Sequence, residues 1–82
     1  MRKYLHYHVI FKPEPEGGFT VIVPSLPGCV TYGKTLQEAK RMVTDAIEGY
    51  IASLKKHKES IPTDEGGFFT SIEIRRKASV YA

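Results

Sequence analysis

Gly18-Phe19-Thr20-Val21-Ile22-Val23-Pro24, then Ser25-Leu26-Pro27-Gly28-Cys29, then Tyr32-Gly33-Lys34-Thr35 and a long amphipathic run ending at Ile61-Pro62, decides the fold. Phe19 to Val23 is aromatic and β-branched and reads as a strand. Pro24 has no amide hydrogen to give a ladder, so it marks a strand end or a sheet edge. Proline sets φ and glycine permits tight turns, so Pro24, Pro27, Gly28 and Gly33 define a rigid path into a short third strand, Cys29 to Tyr32. Thr35 stands three residues before Glu38, the spacing of a capping box, and a helix follows to about Lys58. Leu36, Ala39, Val43, Ala46, Ile47, Tyr50, Ile51 and Leu54 recur at steps of three and four and form one apolar stripe. Arg41, Asp45, Glu48, Ala52, Lys55 and Lys56 fall on the water side. Lys55, Lys56 and Lys58 gather in the last turn, where cations suit the helix dipole.

Upstream, Tyr4 to Lys12 alternates as a first strand, with Leu5, Tyr7, Val9 and Phe11 on one face. Pro13-Glu14-Pro15-Glu16-Gly17-Gly18 turns the chain back antiparallel. Downstream, Pro62 and Gly66-Gly67 bar continuation of the helix. Phe68 to Arg76 then alternates again, Phe68, Thr70, Ile72 and Ile74 against Phe69, Ser71, Glu73 and Arg75, as a fourth strand. Residues 77–82 read as a tail. The expected architecture is α+β, in the order β-β-β-α-β, one domain over residues 1–82, with an antiparallel-rich sheet covered on one face by one helix. Tyr4, Ile10, Ile22 and Phe69 do not all fit beneath that helix, so part of this apolar set faces the open side. An open apolar sheet face and free strand edges point to association, a homodimer or a dimer of dimers.

The chain has 82 residues and a formal net charge of +3, with 41% hydrophobic and 26% charged residues. These are the proportions of a small globular domain with a thin core, not of a disordered chain. The charge excess speaks to solubility more than to nucleic acid. A single cysteine cannot form an internal disulfide, which excludes a stapled secreted scaffold and fits a reducing cytoplasm. No signal-peptide pattern follows Met1-Arg2-Lys3, and no apolar run approaches the roughly 18 residues of a membrane span.

Chemistry has few footholds. His6 and His8 share one side of a strand, but a zinc site needs further ligands and none is apparent, so no metal and no cofactor are expected. Cys29 is a lone cysteine at the mouth of a strand and reads as a small buried hydrophobe rather than a nucleophile. Glu14, Glu16, Asp45, Glu48, Asp64, Glu65 and Glu73 are scattered over turns, helix and strand, whereas metal-dependent hydrolysis needs carboxylates that converge. Arg75-Arg76-Lys77 could meet phosphate or an acidic partner, yet no nucleic-acid-binding motif accompanies it. The loop Pro24, Ser25, Leu26, Pro27, Gly28 and Cys29, with the adjoining sheet, is the candidate partner-binding surface, because a rigid loop loses little entropy on binding.

The order Gly18, Phe19, Val21, Pro24, Leu26-Pro27-Gly28-Cys29, Gly33, Thr35, Glu38-Ala39, Ala46, Ile61-Pro62 resembles the HicB-type antitoxin family over most of the chain. The resemblance implies a truncated ribonuclease-H-like fold and a non-enzymatic inhibitor that covers a HicA-type toxin, a small mRNA-cleaving ribonuclease. Ser25 and Lys34 stand where that family usually carries acidic residues, which makes the loop less acidic toward a basic toxin. Family members often add a C-terminal DNA-binding module. Lys77 to Ala82 leave no room for one here, so the short single-domain type is implied and direct DNA binding is not expected. The alternative from another class is a weak nuclease or nucleic-acid-binding protein on a remnant ribonuclease-H-like sheet. An orphan scaffold without a toxin is a third reading that sequence does not separate from the first.

Overall fold

The structure is a computed structural model that describes residues 4–76. Among these, the chain forms a three-stranded antiparallel meander, β1 (Ile10–Pro13), β2 (Phe19–Ile22) and β3 (Val30–Gly33), followed by one helix, α1 (Leu36–Lys56). Each strand is shorter than or offset from the expected one. Residues 4–9 run into β1 without being paired as strand, although Tyr7, Val9 and Phe11 still pack against the core at alternate positions. Pro13 closes β1 opposite Phe19 rather than breaking the strand before it. The tail expected at 77–82 lies outside the described residues.

The register explains both faces of the sheet. Phe11 lies opposite Val21, and Val21 opposite Thr31, on the side that α1 covers. One step along, Ile10, Ile22 and Val30 form a cross-strand apolar row. Successive side chains of a strand alternate between faces, so this row points away from α1. Ile10 and Val30 are exposed. The overfilled apolar set read from the sequence is thus divided, with Ile10 and Ile22 on the open face.

The core is small: Val21, Val23, Leu26, Cys29, Ala39 and Val43 are buried, with Tyr7, Val9, Phe11, Phe19, Ala46, Ile47 and Tyr50 packed around them. The stripe of α1 is therefore centred on Ala39 and Val43. Leu36, at its N-terminal end, remains exposed.

Both ends of α1 are closed by local hydrogen bonds. Thr35 Oγ1 accepts from the Glu38 amide at 3.0 Å, as the capping box requires. The returning Glu38 Oε1 accepts from the Lys34 amide at 2.5 Å, one residue earlier than in the standard box. At the other end α1 stops at Lys56, because Lys58 adopts a left-handed φ of 57°. That residue lets the Glu59 amide reach Leu54 O at 2.9 Å and the Lys58 amide reach Lys55 O at 3.1 Å, a Schellman closure with lysine in the usual glycine place.

The fourth strand is the main departure. Residues 68–76 pair with no other described residue as strand, and all are exposed. The alternating pattern is present, but a strand exists only beside another edge, and the segment is not laid along β1 or β3 of its own chain.

Candidate functional site

The loop between β2 and β3 is built around one inward side chain. The Leu26 amide donates to Val23 O at 3.0 Å, the Cys29 amide to Leu26 O at 2.9 Å, and the Val23 amide to Cys29 O at 3.1 Å. These three bonds close the loop on itself. Gly28 takes a left-handed φ of 83°, which a side chain would resist. Tyr50 Oη, from α1, donates to Pro27 O at 2.7 Å and ties the loop tip to the helix.

The six loop residues singled out from the sequence therefore divide. Leu26 is 0% exposed and Cys29 5%, so both belong to the core. Pro24, Pro27 and Gly28 are exposed, and Ser25 is half-buried. The surface this loop offers is two prolines and a glycine held on a rigid frame. Burial pushes the Cys29 thiol above its ordinary range, the opposite of what a nucleophilic thiolate needs.

A second feature was not legible in the sequence. Asp64, beyond the end of α1, reaches back to the loop and to the approach of β1. Its carboxylate accepts from Ser25 Oγ and from the His8 amide, and its Oδ2 lies 2.8 Å from His8 Nδ1. Beside it, Tyr7 Oη donates to Pro62 O at 2.6 Å. Together these bonds clasp residues 62–64 against Tyr7, His8 and Ser25. The nearest local signal was Pro62, which stops a helix but says nothing of a partner 39 or 56 positions away.

Serine, aspartate and histidine meet here without forming a catalytic relay. The Ser25 hydroxyl bonds to the carboxylate, not to the imidazole that would have to take its proton. His8 instead stacks on Phe69, with ring centroids 4.3 Å apart. Glu65 lines the same recess as Asp64 and His8, whereas Glu14 accepts from Thr20 Oγ1 in the β1–β2 turn, and Asp45, Glu48 and Glu73 are exposed elsewhere. Among the described residues no three His, Cys, Asp or Glu side chains come together as a metal set.

The clasp has an acid limit. The Ser25 hydroxyl bond, and after it the His8 amide, hold the Asp64 carboxyl below the usual carboxylate range against the opposing effect of desolvation. A lowered folded-state value means that the clasp contributes in full above the ordinary carboxylate range and is lost as pH falls through that lower value. The protection of the His8 amide against hydrogen exchange, corrected for its intrinsic rate, should fall when the solution is taken from pH 6 to pH 2. In Asp64→Asn this acid-dependent fall should be absent. Equal protection of the wild type at both pH values would show that the clasp does not depend on the ionised carboxylate.

The rest of the surface is plain. No helix among the described residues is long and apolar enough to cross a membrane. A groove of about 280 Å³ runs between Leu5 and Tyr7 on one side and Thr44, Ile47, Glu48 and Ile51 of α1 on the other.

With this geometry in view, the comparisons with known proteins are direct. Residues 7–77 match the model of the HicB-like antitoxin of bacterial toxin-antitoxin systems. A UPF0150 protein of Thermoplasma acidophilum is 50% identical over 60 residues, which cover 73% of this chain and 87% of that protein. A UPF0150 protein of Helicobacter pylori is 36% identical, over 72% of this chain and 82% of its own length. Antitoxin HicB 1 of Photorhabdus laumondii is 35% identical over 73% of this chain, and the match spans 39% of that longer protein. The family match takes in the meander, the clamped loop, α1 and the clasp at Asp64, and on that ground the chain belongs to the HicB-like antitoxin family.

Proposed function

We propose that this protein is the inhibitory half of a toxin-antitoxin pair and works by binding, not by catalysis. Its target is a small mRNA-cleaving ribonuclease of the HicA type, which it covers so that RNA cannot enter. The observation that carries this reading is family membership over residues 7–77. The rigid loop supports it, since Pro24, Pro27 and Gly28 stand exposed on a frame closed by Leu26 and Tyr50. A loop already fixed in one shape loses little freedom on binding. The open-face row Ile10, Ile22 and Val30 lies on the same sheet and extends the contact area. In this reading the three-stranded meander with its crossing helix is the truncated ribonuclease-H-like arrangement of the family. The protein acts in the cytoplasm, beside the RNA that the toxin cuts, as a homodimer or a dimer of dimers.

The test is co-expression with the toxin encoded beside it. The antitoxin should restore growth, co-elute with the toxin on a sizing column and block RNA cleavage at near-equal concentration. The double variant Pro24→Lys, Pro27→Lys should keep the circular dichroism of the wild type, because both side chains lie outside the core, and should weaken inhibition at least about tenfold. Growth arrest without rescue, and no complex on the column, would refute the inhibitor reading. Full inhibition by the double variant would move the interface off the loop.

A further inference from the structure

The loop between β2 and β3 is shaped by its own backbone but not aimed by it. The bond between the Val23 amide and Cys29 O closes its base, and the bonds from the Leu26 and Cys29 amides set the turn above. A loop held only at its base can still tilt about the line between its two ends. The buried Leu26 side chain draws it onto the core, yet apolar burial is non-directional and does not by itself fix an orientation.

Two side-chain bonds supply the direction, one to each sequence neighbour of Leu26. Tyr50 Oη, 23 positions away on α1, donates to Pro27 O at 2.7 Å. The Asp64 carboxylate, 39 positions away, accepts from Ser25 Oγ. With Leu26 between them, the loop is attached to the core, to α1 and to the segment after α1. Attachments to three separate parts of the molecule restrict the tilt that one alone allows.

Both holding atoms are themselves held. The Tyr50 ring packs against the core cluster, so its hydroxyl is carried on a restrained arm. The Oδ2 atom of Asp64 accepts from the His8 amide and lies 2.8 Å from His8 Nδ1, which leaves Oδ1 for Ser25. Neither tether belongs to the core. The bond from Tyr50 to Pro27 is exposed, and Ser25 is half-buried. A hydrogen bond that water can replace adds only modestly to folding, but it is enough to select among orientations of one loop.

We propose that Tyr50 and Asp64 are positioning residues for toxin recognition. Acting through Pro27 and Ser25, they hold the loop in one orientation before the toxin arrives, so that Pro24, Pro27 and Gly28 meet it as a preset surface. This inference rests on the inhibitor reading above and assigns the residues that aim its binding loop.

A preset loop has a kinetic signature. Where the binding-competent orientation is only a fraction of the population, apparent affinity falls by that fraction. The loss appears as slower productive association, because a complex once formed makes the same contacts and separates at the same rate. Removing a contact does the reverse and chiefly raises the dissociation rate.

Tyr50→Phe and Ser25→Ala each remove one oxygen and no charge, so neither alters electrostatic steering. Binding to the toxin encoded beside the antitoxin is followed by surface plasmon resonance. The double variant should associate about tenfold more slowly and dissociate within about twofold of the wild-type rate, with each single variant slowed less. Its circular dichroism should be unchanged, because both oxygens lie outside the core. In the free protein, the order parameter of the Gly28 amide should fall in the double variant. Association at the wild-type rate, or an unchanged Gly28 order parameter, would overturn the proposal. So would faster dissociation with association unchanged, which would make Tyr50 or Ser25 a direct contact. Should the double variant lose its circular dichroism, the two single variants are read by the same criteria. No complex between the wild type and the toxin would refute the inhibitor reading and this inference with it. A wild-type complex with unaltered association in the variants refutes this inference alone.

Discussion

Replacing Leu26 with alanine is expected to destabilise the protein by about 2–5 kcal/mol, the range for emptying a well-packed leucine site. Leu26 is 0% exposed and is among the largest fully buried side chains, with Val21 and Val23. The neighbourhood has little means of collapsing into the space. The three backbone bonds among Val23, Leu26 and Cys29 hold the loop, and Tyr50 fixes its tip. A domain of this size has a total stability of only about 5–15 kcal/mol, so the loss is a large share of the whole. Urea titration followed by circular dichroism measures it, and the midpoint should fall with the slope unchanged. A midpoint within experimental error of the wild type would mean that Leu26 does not pack as described. Leu26→Lys should go further and unfold the protein, because the ammonium would be desolvated without a partner. Loss of toxin binding in that variant would report on folding, whereas loss in the Pro24 and Pro27 variant reports on the surface.

The sequence was most readable where partners are close in the chain. The capping box at Thr35 and Glu38 depends on an i to i+3 contact and forms as its spacing indicates, apart from the returning bond, which moves to the Lys34 amide. The apolar stripe of α1 marks the covered face, because Ala39, Val43, Ala46, Ile47 and Tyr50 all turn to the sheet. Cys29 reads as a small hydrophobe and is one. Leu26 was harder to place. Between two prolines it resembles a loop residue offered to a partner, and only the bond from its amide back to Val23 turns it inward. The Asp64 clasp was invisible, because nothing near Asp64 distinguishes it from Glu65 or Glu59. Its partners are set by the course of the chain after α1. The fourth strand shows a different limit. Alternation from Phe68 to Arg75 predicts a strand that the described residues do not form, because period alone supplies no edge for such a segment to pair with.

Gly33→Ala is expected to destabilise by about 1–3 kcal/mol through overpacking, and Gly33→Val by more. Gly33 ends β3 opposite Phe19 and lies buried beneath the first turn of α1. A Cβ at this position would stand 2.4 Å from both the Ala39 amide nitrogen and the Ala39 Cα, and 2.8 Å from its Cβ. The obstacle is backbone and not the end of a flexible side chain, so no rotamer change relieves it. Either α1 must lift away from β3 or the strand must shift. Lifting α1 draws Ala39 and Val43 out of the core that they form with Val21. It also strains the cap, since Thr35 and Lys34 connect Gly33 to the helix directly. Small residues at Gly33 and Ala39 are thus a matched pair that sets how closely helix and sheet approach. The clean measurement is a comparison with Gly49, which sits on the exposed side of α1 with nothing near its missing Cβ. Gly49→Ala should stabilise by up to about 1 kcal/mol, the usual gain for alanine in a helix interior. The two substitutions add the same methyl group and should shift the urea midpoint in opposite directions. A Gly33→Ala variant as stable as the wild type would show that α1 and β3 are not in the close contact on which this core depends.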